Sequence, residues 1–186
     1  MPGKTQRLTI DSGLQEYAAR RLGTNSGSAV VFDCLTGEML CMASMPAYDP
    51  NSFSDGISHL EWKMLSADDH VPLMNKVTQG LYPPGSTVKP MNGLALLEAG
   101  IDPNDRVFCS GAMRVGTGVF HCHKRRGHGP MDLRTAVAQS CDIYFYEMIR
   151  RLGYDRVAPV ARALGLGQKF DLPFSTQRYG TVPDSE

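Results

Sequence analysis

The sequence lacks both net charge and any long apolar run. Nineteen basic residues balance nineteen acidic residues in a chain of 186 residues, so the overall charge favours neither a nucleic acid nor an anionic membrane as partner. The basic run at 124–126 is typical of a solvated loop rather than a nucleic-acid patch. No stretch provides the roughly 20 apolar residues needed to cross a bilayer, and the N-terminus carries no apolar signal core.

Cysteine pairs at redox or short zinc-binding spacing are also missing. The five cysteines form no C-x-x-C motif and are too sparse for a disulfide scaffold. Cys109, Cys122 and Cys141 with His128 have the chemistry of a closed, structural zinc site. Free buried thiols and a Cys109–Cys122 disulfide are the competing interpretations, and spacing alone does not decide among the three.

The order of predicted elements favours an α+β fold. Residues 29–44 are predicted to form a β-hairpin, and about 58–165 a mainly helical subdomain. A two-stranded hairpin is marginal alone, and no convincing strand is predicted after Cys122. Neither end of the chain carries a closing element. We therefore expect residues 1–186 to be the N-terminal part of a longer domain, truncated before its later sheet strands.

Three local expectations can be compared directly with a structure. Ser12 is expected to cap a first helix that runs to Leu22, and Trp62 is expected to pack inward from a helix beginning after Ser58. A further helix is expected from Ser86 to about Glu98, directly after a Pro-Pro-Gly stop.

Ser86 and Lys89 are candidates for a nucleophile and its base. Residues three apart on a helix are neighbours, so the two side chains are expected to face the same way. A serine hydroxyl is a poor nucleophile until a base takes its proton, and a neutral lysine amine is such a base. A helix-capping serine near a surface lysine is the alternative interpretation, because S-x-x-K by itself is a common tetrapeptide.

The surroundings of this pair resemble the active-serine motif of class B penicillin-binding proteins. Residues 80–90 read Gly-Leu-Tyr-Pro-Pro-Gly-Ser-Thr-Val-Lys-Pro, and the resemblance is closest to the elongation type, the penicillin-binding protein 2 group. Ser140-Cys141-Asp142, followed by Tyr-Phe-Tyr at 144–146, resembles the family's second motif. Ser66-Ala67-Asp68 fits S-x-D as well but lacks this context. Similarity at 8–15 and 27–50 extends the resemblance over nearly the whole chain.

The resemblance implies a fold, an activity and four catalytic roles. The fold is that of β-lactamases and transpeptidases, with an antiparallel sheet and a helical subdomain. The activity is D,D-transpeptidation or carboxypeptidation of D-Ala-D-Ala stem peptides through an acyl-serine intermediate. Ser86 would be the nucleophile and Lys89 its general base. Ser140 would pass a proton toward the leaving amine, and Asp142 would hold the network in place.

The resemblance also implies a structural zinc ion. Members of the elongation branch can hold zinc beside the second motif, and Cys141 is the middle position of that motif. The implied ligands are Cys109, Cys122, His128 and Cys141. His121 and His123 flank Cys122 and are expected to be exposed, because neighbours on an extended segment point to the opposite face. No organic cofactor is implied.

The family's third motif, K-[ST]-G, does not occur in these 186 residues. In the family this motif lies on a later strand that supplies an oxyanion N–H and contacts to the substrate carboxylate. We therefore expect the isolated chain to be a poor catalyst. A serine β-lactamase of the same fold is the first alternative, and a catalytically inert, zinc-stabilised scaffold or binding module is the second.

The resemblance also implies where the whole protein acts and what it binds. The site is the periplasmic face of the bacterial inner membrane, in synthesis of the cell wall and maintenance of cell shape. The expected partners are peptidoglycan stem peptides, β-lactam antibiotics and, through regions outside this chain, a membrane glycan polymerase. No nucleic-acid partner is expected.

Overall fold

The computed structural model describes residues 4–54, 56–172 and 176–184, which form two compact units. The first unit comprises the described residues of 1–81 and 171–178, and the second those of 82–170 and 179–184. Each unit combines helices with antiparallel strands, which agrees with the predicted α+β class. Within the described ranges, no helix has both the length and the hydrophobicity required to span a bilayer.

The first unit is built around a hairpin and the helix that packs on it. Its elements are α1 (Ser12–Leu22), β1 (Gly27–Phe32), β2 (Met39–Met45), a 3-10 turn (Pro50–Phe53) and α2 (His59–Ala67). The strands pair antiparallel with Val30 opposite Met42, which confirms the predicted hairpin. Gln15 of α1 exchanges two hydrogen bonds with the backbone of Met42, at 2.8 and 2.9 Å, and these join the helix to β2.

Two expectations about this unit are wrong. The cap of α1 is Asp11, whose Oδ1 accepts the Leu14 N–H at 2.8 Å; Ser12 is already the first helical residue. Trp62 is 48% exposed, and α2 has no buried residue. The predicted start of a helix after Ser58 is confirmed, since α2 begins at His59 and the Glu61 N–H donates to Ser58 Oγ at 3.1 Å.

The second unit packs helices against two small strand pairs. Its elements are a 3-10 turn (Gly85–Val88), α3 (Lys89–Glu98), β3 (Val107–Cys109), β4 (Ala112–Val115), β5 (Gly118–His121), β6 (Gly129–Met131), α4 (Leu133–Ala138), α5 (Asp142–Leu152), a second 3-10 turn (Tyr154–Arg156) and α6 (Ala158–Ala163). Strand β3 pairs with β6, and β4 pairs with β5, both antiparallel.

Strand β6 corrects the expectation that no strand follows Cys122. It is only three residues long and contains Pro130, which is why neither alternation nor β-propensity indicates it. Pro130 has no N–H to donate and is tolerated in a two-stranded ribbon. Its place opposite Phe108 brings the segment after Cys122 back beside Cys109.

Helix α3 is the element around which the second unit packs. It contacts α4, α5 and α6, and Leu96 on α3 is fully buried with Tyr144 and Met148 of α5. Helix α5 buries Ile143, Tyr144, Phe145 and Met148 and also packs on β3 and β5. This packing fixes the N-terminal ends of α3 and α5, and those ends carry the candidate catalytic residues.

Candidate active site

Ser86 lies on a 3-10 turn rather than on an α-helix. The turn spans Gly85–Val88, and the Lys89 N–H donates to the Ser86 carbonyl at its end. Gly85 has φ of 57°, a conformation that glycine adopts without strain. Side chains three apart on a 3-10 helix are nearly eclipsed, so the predicted pairing of Ser86 with Lys89 on one side stands, although the expected α-helix begins only at Lys89.

The two residues of this pair differ sharply in exposure. Ser86 is exposed to solvent, whereas Lys89 is 7% exposed and points into the unit. Burying an ammonium is costly unless it is paired and hydrogen-bonded. The surroundings of the Lys89 head group therefore have to supply both a charge partner and acceptors.

Lys89 Nζ meets three acceptors from the junction of α4 and α5. It donates to the Ser140 carbonyl at 2.7 Å, to Ser140 Oγ at 2.9 Å and to Asp142 Oδ1 at 2.6 Å. An ammonium has three N–H donors, and each of them has found an acceptor. The structure thus brings three of the four predicted catalytic side chains into direct contact, across more than 50 residues of sequence.

Ser140 occupies the left-handed position that ends α4. Its φ is 51°, and the backbone bonds Cys141 N–H to Ala136 O and Ser140 N–H to Val137 O are those of a Schellman motif. Glycine is usual at this position, because a Cβ there is strained. The turn directs the Ser140 carbonyl and hydroxyl to the same lysine.

Asp142 is held from two sides. Burial raises the pKa of this carboxyl. The hydrogen bonds from Lys89 and from the His123 N–H lower the pKa by more than burial raises it, so the pKa lies below its ordinary value. The His123 N–H donates to Asp142 Oδ2 at 3.0 Å, and His123 Nδ1 lies 3.6 Å from the same oxygen. Asp142 is therefore charged and fixed at neutral pH.

A groove of about 850 Å³ opens beside these groups. Ser86, Lys89 and Asp142 line it, and its walls are mainly apolar. Phe120 of β5 and Tyr146 of α5 make an edge-to-face contact along it, with ring centroids 5.8 Å apart. A largely apolar cleft with a few converging polar groups is the usual form of a small-molecule or peptide site.

The four predicted metal ligands also lie together, directly behind Ser140. The ligand atoms of Cys109, Cys122, His128 and Cys141 are within 4.8 Å of one another. His128 Nδ1 is 3.6 Å from Cys109 Sγ and 3.5 Å from Cys122 Sγ. Zn–S bonds of about 2.3 Å and Zn–N bonds of about 2.0–2.1 Å place tetrahedral S and N ligands roughly 3.5–3.6 Å apart. The donor set therefore fits a tetrahedral zinc ion.

The surroundings shift the pKa values of two of these thiols in opposite directions. Burial raises the pKa of Cys109, but N–H groups of His128 and Gly111 that point at its sulfur lower the pKa below its ordinary value. Burial raises the pKa of Cys141 to about 12. All five cysteines are free, so the alternative Cys109–Cys122 disulfide is not formed. A divalent cation stabilises neighbouring thiolates, which otherwise repel one another.

Two glycines allow the backbone crossing that closes this cluster. A Cβ on Gly111 would lie 2.1 Å from the Arg125 carbonyl, and a Cβ on Gly127 would lie 2.1 Å from the Cys109 carbonyl. Both glycines have positive φ, 95° and 77°. Only glycine, which has no side chain, lets the two backbone segments come this close.

The model of one protein family matches most of the chain. That family is described as the penicillin binding protein transpeptidase domain, and the match covers residues 27–186. The chain belongs to the penicillin-binding protein transpeptidase family. This confirms the family predicted from the two serine motifs, and the mixed helix and sheet of the structure is the fold expected of it.

Individual members of the transpeptidase family point to the elongation type. The peptidoglycan D,D-transpeptidase MrdA of Salmonella typhimurium is 36% identical over 97% of this chain and 30% of the relative. The crystal structure of Pseudomonas aeruginosa PBP2 in complex with WCK 5153 has 40% identity and a TM-score of 0.87, covering 95% of this chain and 41% of that one.

A third similar protein is PBP2 in its complex with MreC from Helicobacter pylori. It has 35% identity and a TM-score of 0.87, covering 94% of this chain and 33% of that one. The likeness to MrdA and to PBP2 confirms the predicted elongation branch of the penicillin-binding proteins. The chain spans about a third of the length of these relatives.

His123 is the residue of this transpeptidase-family site that sequence reasoning missed. It is exposed, as expected, with its side chain 56% accessible. However, its backbone N–H and its ring both lie against Asp142, and its ring is 5.1 Å from that of His128. Its position directly after Cys122, a predicted metal ligand, is the only indication that the sequence provides, because the contact with Asp142 depends on the path of the loop after β5.

Proposed function

We propose that this chain carries the nucleophile, base and proton relay of a peptidoglycan D,D-transpeptidase. The substrate is a stem peptide ending in D-Ala-D-Ala, and a β-lactam acylates the same serine as a substrate mimic. One observation carries the proposal: Lys89 Nζ, one turn from an exposed serine, donates to both Ser140 Oγ and Asp142 Oδ1. Such a shared network is needed to take a proton from the nucleophile and deliver it to a leaving group.

In the acylation step Ser86 Oγ bonds to the penultimate D-Ala carbonyl carbon, and the C–N bond to the terminal D-Ala breaks. The proton from Ser86 passes to Lys89, and through Ser140 Oγ to the leaving amine. In the second step the amine of an acceptor stem peptide attacks the ester carbon and releases Ser86 Oγ, with its proton restored. The Ser86 N–H stabilises the oxyanion in both steps.

Lys89 must be neutral to accept the Ser86 proton. The three hydrogen bonds it donates are those of an ammonium, so a proton has to leave Nζ first. Ser140 Oγ is in contact with Nζ and is the route for that proton. Asp142, whose pKa lies below its ordinary value, stays ionised and holds the lysine in place.

Penicillin labelling and nitrocefin hydrolysis together separate three candidate functions. The test is incubation of the protein, produced from its complete coding sequence, with a fluorescent penicillin and, separately, with nitrocefin. A long-lived label with slow nitrocefin hydrolysis is expected for the transpeptidase. Fast nitrocefin turnover would instead indicate a β-lactamase, and no label at all would indicate an inert scaffold. The transpeptidase is favoured because MrdA of Salmonella typhimurium bears that activity in its name.

The isolated 186 residues are proposed to be impaired. They contain no K-[ST]-G tripeptide, and an oxyanion hole with one N–H donor instead of two loses about 10²–10³ in rate. The same penicillin assay on the isolated chain tests this. Labelling at the rate of the protein from the complete coding sequence would refute the impairment while leaving the role of Ser86 intact.

The four-residue cluster is proposed to hold a structural zinc ion. Cys109, Cys122 and Cys141 would supply thiolates and His128 an imidazole, and together they complete a closed tetrahedron. The ion would join the loop around β3 and β6 to Cys141, the middle residue of the Ser140–Asp142 junction. It supplies stability to this junction rather than a reacting group.

Removal of the metal should destabilise the protein. Because binding energy at a structural site is folding energy, we expect the free energy of unfolding to fall by roughly 3 kcal/mol or more on chelation. Metal analysis and thermal unfolding of wild type, Cys122→Ser and His128→Ala measure this, with exposed His121→Ala as control. Zinc-free wild-type protein of unchanged stability would contradict the assignment.

The setting of the activity is also proposed from the family. The whole protein would act at the periplasmic face of the inner membrane and bind peptidoglycan stem peptides. Helicobacter pylori PBP2 forms a complex with MreC, and an equivalent partner is proposed here together with a membrane glycan polymerase. Co-purification from membranes with such proteins tests this, and recovery only in the cytoplasmic fraction would contradict it.

A further inference from the structure

A second set of metal donors lies between the zinc cluster and the catalytic residues. Cys122, His123 and Asp142 belong to it, and one ligand atom from each lies within 4.8 Å of the others. We propose that these three groups form a second zinc site, which shares the Cys122 thiolate with the four-residue site. Its ion would sit on the solvent side of Cys122, next to Asp142.

Two of the three donor separations are close to those of an open zinc site. Cys122 Sγ and His123 Nδ1 are 3.9 Å apart, and His123 Nδ1 and Asp142 Oδ2 are 3.6 Å apart. Zinc bonds of about 2.3 Å to sulfur and 2.0–2.2 Å to nitrogen and oxygen require separations of roughly 3.3–3.6 Å. A shift of a few tenths of an ångström in the exposed histidine ring brings these two separations into that range, and the Cys122 and Asp142 ligand atoms lie within 4.8 Å of each other.

Each donor has an electron pair available for the ion. Asp142 Oδ1 accepts a hydrogen bond from Lys89 Nζ, and Oδ2 accepts one from the His123 N–H at 3.0 Å. Each carboxylate oxygen has a second lone pair, so Oδ2 can also bind an ion. A thiolate bound to one zinc ion retains lone pairs for another. The His123 side chain is 56% exposed, so its ring can shift without rearrangement of the core, whereas the shared Cys122 thiol is buried.

The second site is the weaker of the two. It offers three protein ligands and leaves a fourth position to water, whereas the first site is closed. Lys89 Nζ lies 2.6 Å from the other oxygen of Asp142, and its positive charge opposes a divalent ion there. We therefore expect two zinc ions per chain, with the second released by a chelator that leaves the first bound.

The test is a zinc titration with an indicator chelator, repeated with Co²⁺ to follow the ligand-field spectrum. The variants are His123→Ala, which removes only a second-site ligand, and Cys109→Ser, which removes only a first-site ligand. The matched control is His121→Ala, an exposed histidine two positions away that belongs to neither set. Circular dichroism checks that each variant is folded.

Wild type and His121→Ala are expected to bind two equivalents of zinc, and His123→Ala is expected to bind one tight equivalent. Cys109→Ser should keep one weak equivalent with a Co²⁺ spectrum that His123→Ala lacks. A wild type that binds a single equivalent, unaffected by His123→Ala, would overturn the second site and leave the first intact. A single weak equivalent that survives Cys109→Ser and is lost in His123→Ala would support the second site and refute the first.

Discussion

At the scale of single residues, Ser140 is strained for a reason that its contacts make clear. It adopts φ of 51° at a position where glycine ends most helices of this type. Its hydroxyl lies 2.9 Å from Lys89 Nζ, and glycine would lose that contact. Strain at such a position is typical of a functional residue held by its surroundings.

Two substitutions of Ser140 separate strain from chemistry. Ser140→Gly and Ser140→Ala both remove the hydroxyl, but only alanine keeps a Cβ in the left-handed conformation. We expect Ser140→Gly to be more stable than Ser140→Ala by about 1 kcal/mol, as measured by urea unfolding. Penicillin labelling should be impaired in both variants. Equal stability would mean that the left-handed turn relaxes when the hydroxyl is removed.

Residue patterns predicted the candidate site better than they predicted its surroundings. Ser86, Lys89, Ser140 and Asp142 were identified by motif, and three of them are in hydrogen-bond contact. His123 was missed because its role depends on a backbone N–H, which no residue type reveals. Motifs specify side chains, whereas backbone donors are positioned by the path of the loop.

At the scale of elements, the crossing between β3 and the loop before β6 depends on glycine. Gly127 and Gly129 have nearly the same φ, 77° and 79°. A Cβ on Gly127 would meet the Cys109 carbonyl at 2.1 Å, whereas a Cβ on Gly129 would meet nothing within 4 Å. The two positions therefore share a conformational penalty and differ in the clash.

Alanine at these two positions measures the value of the crossing. We expect Gly129→Ala to cost about 1 kcal/mol, the usual penalty for positive φ. Gly127→Ala should cost roughly 2–3 kcal/mol more, because the obstacle is backbone. Denaturant unfolding of the zinc-loaded variants is the measurement. Similar losses for the two would show that the Cys109 and Gly127 segments separate easily.

The cap of α4 supports the Ser140 junction from the opposite end of that helix. Asp132 Oδ1 accepts the Thr135 N–H at 2.8 Å, and Thr135 Oγ1 accepts the Asp132 N–H at 3.0 Å. The hydroxyl and N–H of Thr135 hold the pKa of Asp132 below its usual value. A depressed carboxyl pKa stabilises the folded state above the unfolded value of about 3.9, and the effect is lost as the pH falls through the folded value.

The lowered pKa of Asp132 predicts how the stability of its variants depends on pH. The stability difference between wild type and Asp132→Ala should be largest above about pH 5 and shrink below about pH 4. Asp132→Asn keeps a capping oxygen without a titrating charge. The difference in free energy of unfolding between Asp132→Asn and Asp132→Ala should therefore not change with pH. Urea unfolding between pH 3 and 7 measures both, and a gap to Asp132→Ala that widens in acid would contradict the assignment of the cap.

At the scale of the whole molecule, helices were easier to predict than sheet partners. The predicted ends of α1 at Leu22 and of α3 at about Glu98 agree with the structure, because a glycine follows each of them within two residues. Strand β6 was not predicted, since three residues around a proline show no alternation. Lys89 meets Asp142 only because α3 packs on α5, a long-range contact that family resemblance implied and periodicity did not.

The most direct test of the central claim is the mass-spectrometric location of the penicillin adduct. The protein from its complete coding sequence is incubated with benzylpenicillin, digested and compared with Ser86→Ala and with Ser66→Ala as control. The adduct is predicted on the peptide containing Ser86 in wild type and Ser66→Ala, and on no peptide in Ser86→Ala. An adduct on any other residue, or one that survives Ser86→Ala, would contradict Ser86 as the nucleophile.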